Sequence, residues 1–318
     1  MRESYTCSCA LAVVGLLALV VLVSAQQSPI NPKAVALLRW YPANLTTSFT
    51  VGATPYGAAF DGANIWVTNT ESENVTKLRA SDGALLGTFP MGNMPTGVAF
   101  DGVNIWVANQ YSNTVSKLRA SDGALQGTFS AGNRPAWVAF DGANTWVAEW
   151  LGNVMKLRAS DGVILGTFPI NGAFGVAFDG ANIWVPAYWA STANKLRASD
   201  GANLGQFPVP IHPVGVGFDG ANIWVVNSET EPGSVTKLRA SDGANLGRFN
   251  VGEYPVALAF DGVNIWVSNN KANSVTKLRA SDGTNLGTFN AGAGPYGMAF
   301  DGANVWVVNL GSNTVSKW

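Results

Sequence analysis

Pro95-Thr-Gly-Val-Ala-Phe-Asp-Gly-Val-Asn-Ile-Trp-Val-Ala-Asn109, then Asn113-Thr-Val-Ser-Lys-Leu-Arg-Ala-Ser-Asp-Gly123 and Gly127-Thr-Phe129, is one unit of a pattern that fills the chain. It divides into four short β-type segments with no helical spacing of its apolar residues. Asp101-Gly102 joins the first two segments and Asp122-Gly123 the last two, both hairpin pairs because Gly tolerates positive φ. Phe-Asp-Gly recurs at Phe60, Phe100, Phe140, Phe178, Phe218, Phe260 and Phe300, at spacings of 40, 40, 38, 40, 42 and 40.

Seven copies of a unit near 40 residues, with four strands each, predict an all-β, seven-bladed β-propeller of four-stranded antiparallel blades. The strands are named a to d in chain order. Trp66, Trp106, Trp146, Trp184, Trp224, Trp266 and Trp306 stand six residues after the repeat Phe, on strand b, where inter-blade packing accounts for them. Lys-Leu-Arg on strand c alternates polar and apolar, as a strand with one wetter face would. The sequence reaches Trp318 inside the seventh strand c, and Ser48-Phe49-Thr50-Val51-Gly52 matches strand d, so an N-terminal strand is expected to complete the last blade and remove its open edge. Two segments match the last strand c, Ala34 to Arg39 and Asn313 to Trp318; the second continues directly from its own strand b and is preferred.

Residues 1–25 read as a signal peptide: Arg2, an apolar run from Ala10 to Val23, and a small-residue cleavage site ending at Ala25. The run is 14 residues, against the roughly 20 that span a bilayer, which sets a membrane anchor second. Residues 26–46 form an N-terminal linker and 47–318 the propeller. Both cysteines, Cys7 and Cys9, precede the apolar run, so the exported chain has no thiol and no disulfide. A secreted, periplasmic or cell-surface monomer, free of the membrane after cleavage, is expected. With 19 basic against 20 acidic side chains, the net charge of -1 gives no field for nucleic acid.

The repeat Pro-x-Gly-Val-Ala-Phe-Asp-Gly, Ile-Trp-Val-Ala-Asn, Asn-Thr-Val-Ser-Lys-Leu, Gly-Thr-Phe-x-Val-Gly resembles the YVTN-type propeller repeat, with Trp-Val-Ala-Asn in place of Tyr-Val-Thr-Asn. The resemblance covers essentially the whole exported chain. It implies an exported or cell-surface propeller of the broad class that includes YncE-like, NHL-type and virginiamycin B lyase-like proteins, some of them scaffolds and some enzymes. The lyase mechanism implied by the last group uses histidine with glutamates and a metal, whereas this chain has a single histidine, His212.

Comparing the copies with one another locates the individuality. Turns a-to-b and c-to-d never change length; the changes fall in the b-to-c and d-to-a loops, which emerge at the same end of a blade. Of the 20 acidic residues, 13 are repeat Asp, and 13 of the 19 basic residues are repeat Lys or Arg. The remaining charges concentrate in the variable loops as Glu71, Glu73, Arg134, Glu149, Glu229, Glu231, Glu253 and Lys271. Tyr56, Tyr111, Trp137, Trp150, Phe174, Tyr188, Trp189, Tyr254 and Tyr296 lie in or beside those loops, which suggests a binding face. Blades three and four depart most. The Asn ending strand b becomes Glu149 and Ala187, Pro186 enters the strand, and Trp150, Tyr188 and Trp189 follow.

The candidate ligand-binding residues are therefore Arg134, Trp137, Glu149, Trp150, Tyr188, Trp189 and His212, with rings to stack on a sugar or apolar side chain and Glu149 or Arg134 to direct hydrogen bonds. The competing reading is that these side chains repair packing around the shortened loops. No catalytic residue is assigned: Val209-Pro-Ile-His-Pro213 offers no triad geometry, and one imidazole with no cysteine cannot build a His or Cys metal site. No cofactor is required. A divalent cation on oxygen ligands stays open, although Asp-Gly-x-Asn turns use the same atoms to bond their own backbone. The function expected is a non-catalytic binding scaffold for a protein or carbohydrate ligand. The alternatives are a metal-dependent lactonase, lyase or hydrolase at the central channel, and a lectin-like carbohydrate-binding module.

Overall fold

The computed structural model describes residues 47–228 and 232–318. The expected signal peptide and linker, and the segment Ala34 to Arg39, lie outside the described residues. Seven four-stranded antiparallel sheets account for the secondary structure, each in the order a-b-c-d. In the second blade these strands are Pro95–Phe100, Asn104–Asn109, Thr114–Arg119 and Leu125–Ser130. Every strand a lies against strand a of the blade on either side, and Pro295–Phe300 returns to Pro55–Phe60, so the seven form a ring around a central channel. In the last blade Ser48–Thr50 pairs with Thr314–Lys317, Phe49 opposite Val315. Of the two segments matching its strand c, Thr314–Lys317 fills the place, and the N-terminal strand supplies strand d.

The core lies between blades. Trp106, Ala108 and Val115 of the second blade pack with Val138, Val147, Met155 and Leu157 of the third. Six of the repeat tryptophans are fully buried and Trp266 is half-buried. Each indole N–H donates to the repeat Asp five residues earlier, as from Trp106 Nε1 to Asp101 Oδ2 at 2.8 Å. The other carboxylate oxygen accepts the backbone N–H groups of Val103 at 2.9 Å and Asn104 at 2.6 Å. The repeat Asp is thus consumed in tying its turn to the core. Burial pushes the carboxyls of Asp101, Asp141, Asp219, Asp261 and Asp301 up, but the indole and amide donors outweigh it and hold all five below the ordinary value.

Strand c corrects one expectation. Its Lys is not on a wet face: Lys117 is 9% exposed, crosses to the next blade and donates to the carbonyls of Ala159 at 2.6 Å and Ser160 at 3.4 Å. Its ammonium lies 5.2 Å from the Trp106 ring centre. Lys77, Lys156, Lys195 and Lys237 repeat the clamp, and Lys317 makes it across the ring closure to Ala80 at 2.7 Å and Ser81 at 3.0 Å. An ammonium on a long apolar stem reaches those acceptors while its methylenes stay in the core. The half-exposed strand is d. Its Phe89 covers Gly123 of the following blade, where φ is 76° and any Cβ would run into the ring, so this turn needs glycine twice over.

Candidate functional site

At the variable end the backbone repeats even where side chains do not. The first residue after strand b donates its N–H to the d-to-a loop in every blade: Thr70 to Thr54, Gln110 to Met94, Trp150 to Arg134, Tyr188 to Gly172, Ser228 to His212, Asn270 to Tyr254 and Leu310 to Gly294. Several of the acceptors, among them Arg134, His212 and Tyr254, adopt positive φ to reach it. The frame holds one side chain per blade at the same place, so replacing Thr by Trp or Tyr changes the surface without changing the chain path.

Blade four breaks the inner ring. Its strand a is only Ala177–Phe178, with Ala173 bridged singly to Ala187, where the other blades have six-residue a strands. Pro186 has no N–H to offer a neighbour, and the d-to-a loop that enters this blade is one residue short. The consequence appears at Trp137. In blades one and two this position is glycine because the next strand a presses a carbonyl against it: a Cβ on Gly57 would lie 2.6 Å from Thr96 O, and one on Gly97 2.6 Å from Ala136 O. Opposite Trp137 the next strand is the interrupted one, and the indole occupies the space, stacked on Phe174 at 6.2 Å and 28°.

The result is a continuous network of eight rings. Tyr296 and Tyr56 meet at 4.2 Å with their hydroxyls 2.7 Å apart. Tyr56 contacts Trp137 at 5.9 Å, from blade one to blade three. Beyond Trp137 and Phe174, Trp150 stands edge-on to Phe174 at 5.0 Å and reaches Tyr188 at 5.1 Å and Trp189 at 6.0 Å. His212 stacks on Tyr188 at 4.5 Å and 28°. It is half-buried in this cluster. Burial pushes the Tyr56 hydroxyl up to about 12, against a lowering by the bond to Tyr296, and pushes that of Tyr296 well above the ordinary value.

Beside the network is a cavity of about 200 Å³ lined by Trp150, Phe174, Tyr188, Tyr254 and Tyr296, with Val214, Val256 and Ser228. These come from three repeating positions: the framed residue after strand b, the residue four before the repeat Phe, and the d-to-a loop. The structure thus brings together Trp137, Trp150, Tyr188, Trp189 and His212 among the sequence candidates and leaves two aside. The guanidinium of Arg134 lies over Tyr111 at 5.5 Å. Glu149 is 2% exposed, and its Oε2 accepts the Asn133 N–H at 3.0 Å, closing its own loop.

Tyr56, Phe174, Tyr254 and Tyr296 were singled out by sequence only as extra aromatics. Their shared signal is position, since Tyr56, Phe174 and Tyr296 each stand four residues before the repeat Phe of their copy. No group of three or more His, Cys, Asp or Glu able to hold a metal occurs among the described residues.

Comparison with known proteins returns the fold. No family model and no curated protein sequence matches the chain. Among solved structures, it is similar to a Kuenenia stuttgartiensis hydrazine synthase chain, at 16% identity over 85% of this chain and 96% of that one, with a TM-score of 0.73. A streptogramin B lyase structure matches at 18% identity over 85% and 95%, also with a TM-score of 0.73. The class defined by topology and by these likenesses is the seven-bladed β-propeller.

Proposed function

We propose that the protein is an exported, non-catalytic propeller of the YVTN-repeat type, a binding scaffold that takes a protein or carbohydrate ligand on the face of its b-to-c and d-to-a loops. The observation that carries the reading is the ring network and its cavity, built on a backbone frame that the other blades share. Packing alone does not ask for half-exposed Trp150 and Tyr188 or exposed Trp189 and Tyr254 at a loop surface. Ring faces with a few hydroxyls suit the apolar face of a sugar or a partner side chain.

The test is a titration of tryptophan fluorescence with glycan and peptide panels, comparing the wild type with Trp150→Ala and Trp189→Ala. Saturable quenching that both variants weaken supports the scaffold, and ligands that bind the variants equally well sink it. The rival metal-dependent enzyme is tested by thermal unfolding with and without a chelator. A native-state metal raises the midpoint, so a large loss on chelation would overturn the non-catalytic reading.

A further inference from the structure

We propose that the cavity beside the ring network is a cage for a quaternary ammonium group of the choline type; this rests on the binding-face reading and narrows it to one ligand chemistry. Five aromatic rings line the space: Trp150, Phe174, Tyr188, Tyr254 and Tyr296. Trp150 stands at 77° to Phe174 and 55° to Tyr188, so these rings form walls around a volume rather than a flat stack. The face of an aromatic ring is its negative side and attracts a cation, most strongly where both are withdrawn from water.

The fold already uses this attraction. Each strand c lysine lies over its blade's tryptophan, from 4.6 Å for Lys277 on Trp266 to 5.4 Å for Lys195 on Trp184. Among the described residues, no lysine or arginine lines the cavity. The surrounding charge agrees in sign. The repeat positions carry 13 Asp against 13 Lys and Arg, whereas among the described residues the variable loops carry Glu71, Glu73, Glu149 and Glu253 against Arg134 and Lys271. A nearly neutral protein thus presents its acidic excess at the end where the cavity lies, and attracts cations there.

The lining also separates kinds of cation. A primary ammonium has three N–H donors and loses free energy when buried without acceptors. Among the described residues, the side-chain polar atoms lining this cavity are the hydroxyls of Ser228 and the tyrosines and the indole N–H of Trp150; these hydroxyls are neutral acceptors, which hold an ammonium less strongly than a carboxylate does. A trimethylammonium group has no N–H and asks only for ring faces.

The experiment is calorimetric and fluorescence titration of the full exported chain with choline, tetramethylammonium, ethanolamine and 3,3-dimethylbutan-1-ol, the neutral isostere of choline. Choline and tetramethylammonium are expected to bind at least about tenfold more tightly than the isostere or ethanolamine. Trp150→Leu should weaken choline by at least about tenfold. Tyr254→Leu, which keeps the backbone carbonyl that accepts the Asn270 N–H, should weaken it in the same direction with an unchanged thermal midpoint. Equal binding of choline and its isostere, or no binding of choline to the wild type, overturns the cage. Glycan or peptide binding that still depends on Trp150 would then leave the broader scaffold standing.

Discussion

Replacing Lys117 by Met tests what joins one blade to the next. Its ammonium donates to Ala159 O and Ser160 O of the third blade and lies over Trp106. Hydrogen bonds from a charged donor contribute roughly 1.5–3 kcal/mol each, and the ring contact about 1 kcal/mol. Against this, Met fills the stem's volume and removes the cost of burying an ammonium, which is several kcal/mol. The net loss is therefore about 2–4 kcal/mol. At roughly 2–4 °C per kcal/mol for a domain of this size, the midpoint falls by about 4–16 °C. The sixth blade is an internal control. Lys277 is half-buried and, among the described residues, has the Trp266 ring at 4.6 Å and no carbonyl clamp. Lys277→Met should cost about 1 kcal/mol. Urea unfolding of both variants followed by circular dichroism decides: equal losses, or no loss for Lys117→Met, refute the argument that the carbonyl clamp holds the blades.

Three further outcomes follow from the structure. The Asn ending strand b donates to a hydroxyl on strand c, as Asn109 does to Ser116 at 2.8 Å, and where Glu149 replaces the Asn, Met155 replaces the hydroxyl; Glu149→Asn alone should cost about 1–2 kcal/mol and Met155→Thr beside it should recover most of that, whereas additive losses in denaturant midpoints would refute the pairing. Tyr56 and Tyr296 have raised values, so their contribution is whole below the unfolded value near 10 and is lost as pH rises through the folded ones, about 12 for Tyr56. Alkaline titration of phenolate absorbance should show two tyrosines still un-ionised above the ordinary value near 10 while the fold is intact, and ionisation of both there would be the contrary result. Asp101, Asp141, Asp219, Asp261 and Asp301 are lowered, so their contribution is present above the unfolded value near 3.9 and is lost as pH falls below it; the thermal midpoint should drop below about pH 4, and a flat profile down to strong acid would contradict it.

The ring architecture was legible in the chain because it is written seven times, and local chemistry repeats with it. Asp-Gly dictates a turn wherever it stands, strand-length apolar segments dictate sheet, and the six-residue step from Phe60 to Trp66 or Phe100 to Trp106 holds in every copy. Comparing the copies with one another also identified the individual face and most of its rings, since an insertion or an odd tryptophan stands out against a constant background. Packing across blades was not legible. Lys117 looks like a surface residue in its own strand, and only the neighbouring blade, about 40 residues on, supplies the carbonyls that make burial favourable. Glu149 reads as a functional carboxylate but bonds its own loop. Trp137 fits because blade four withdraws its inner strand, and Tyr56 meets Tyr296 only when the ring closes between residues 240 positions apart. Local pattern determined the strands, their number and the face that varies; closure of the ring decided which side chains share a cavity, because contacts between blades depend on distances that no single repeat contains.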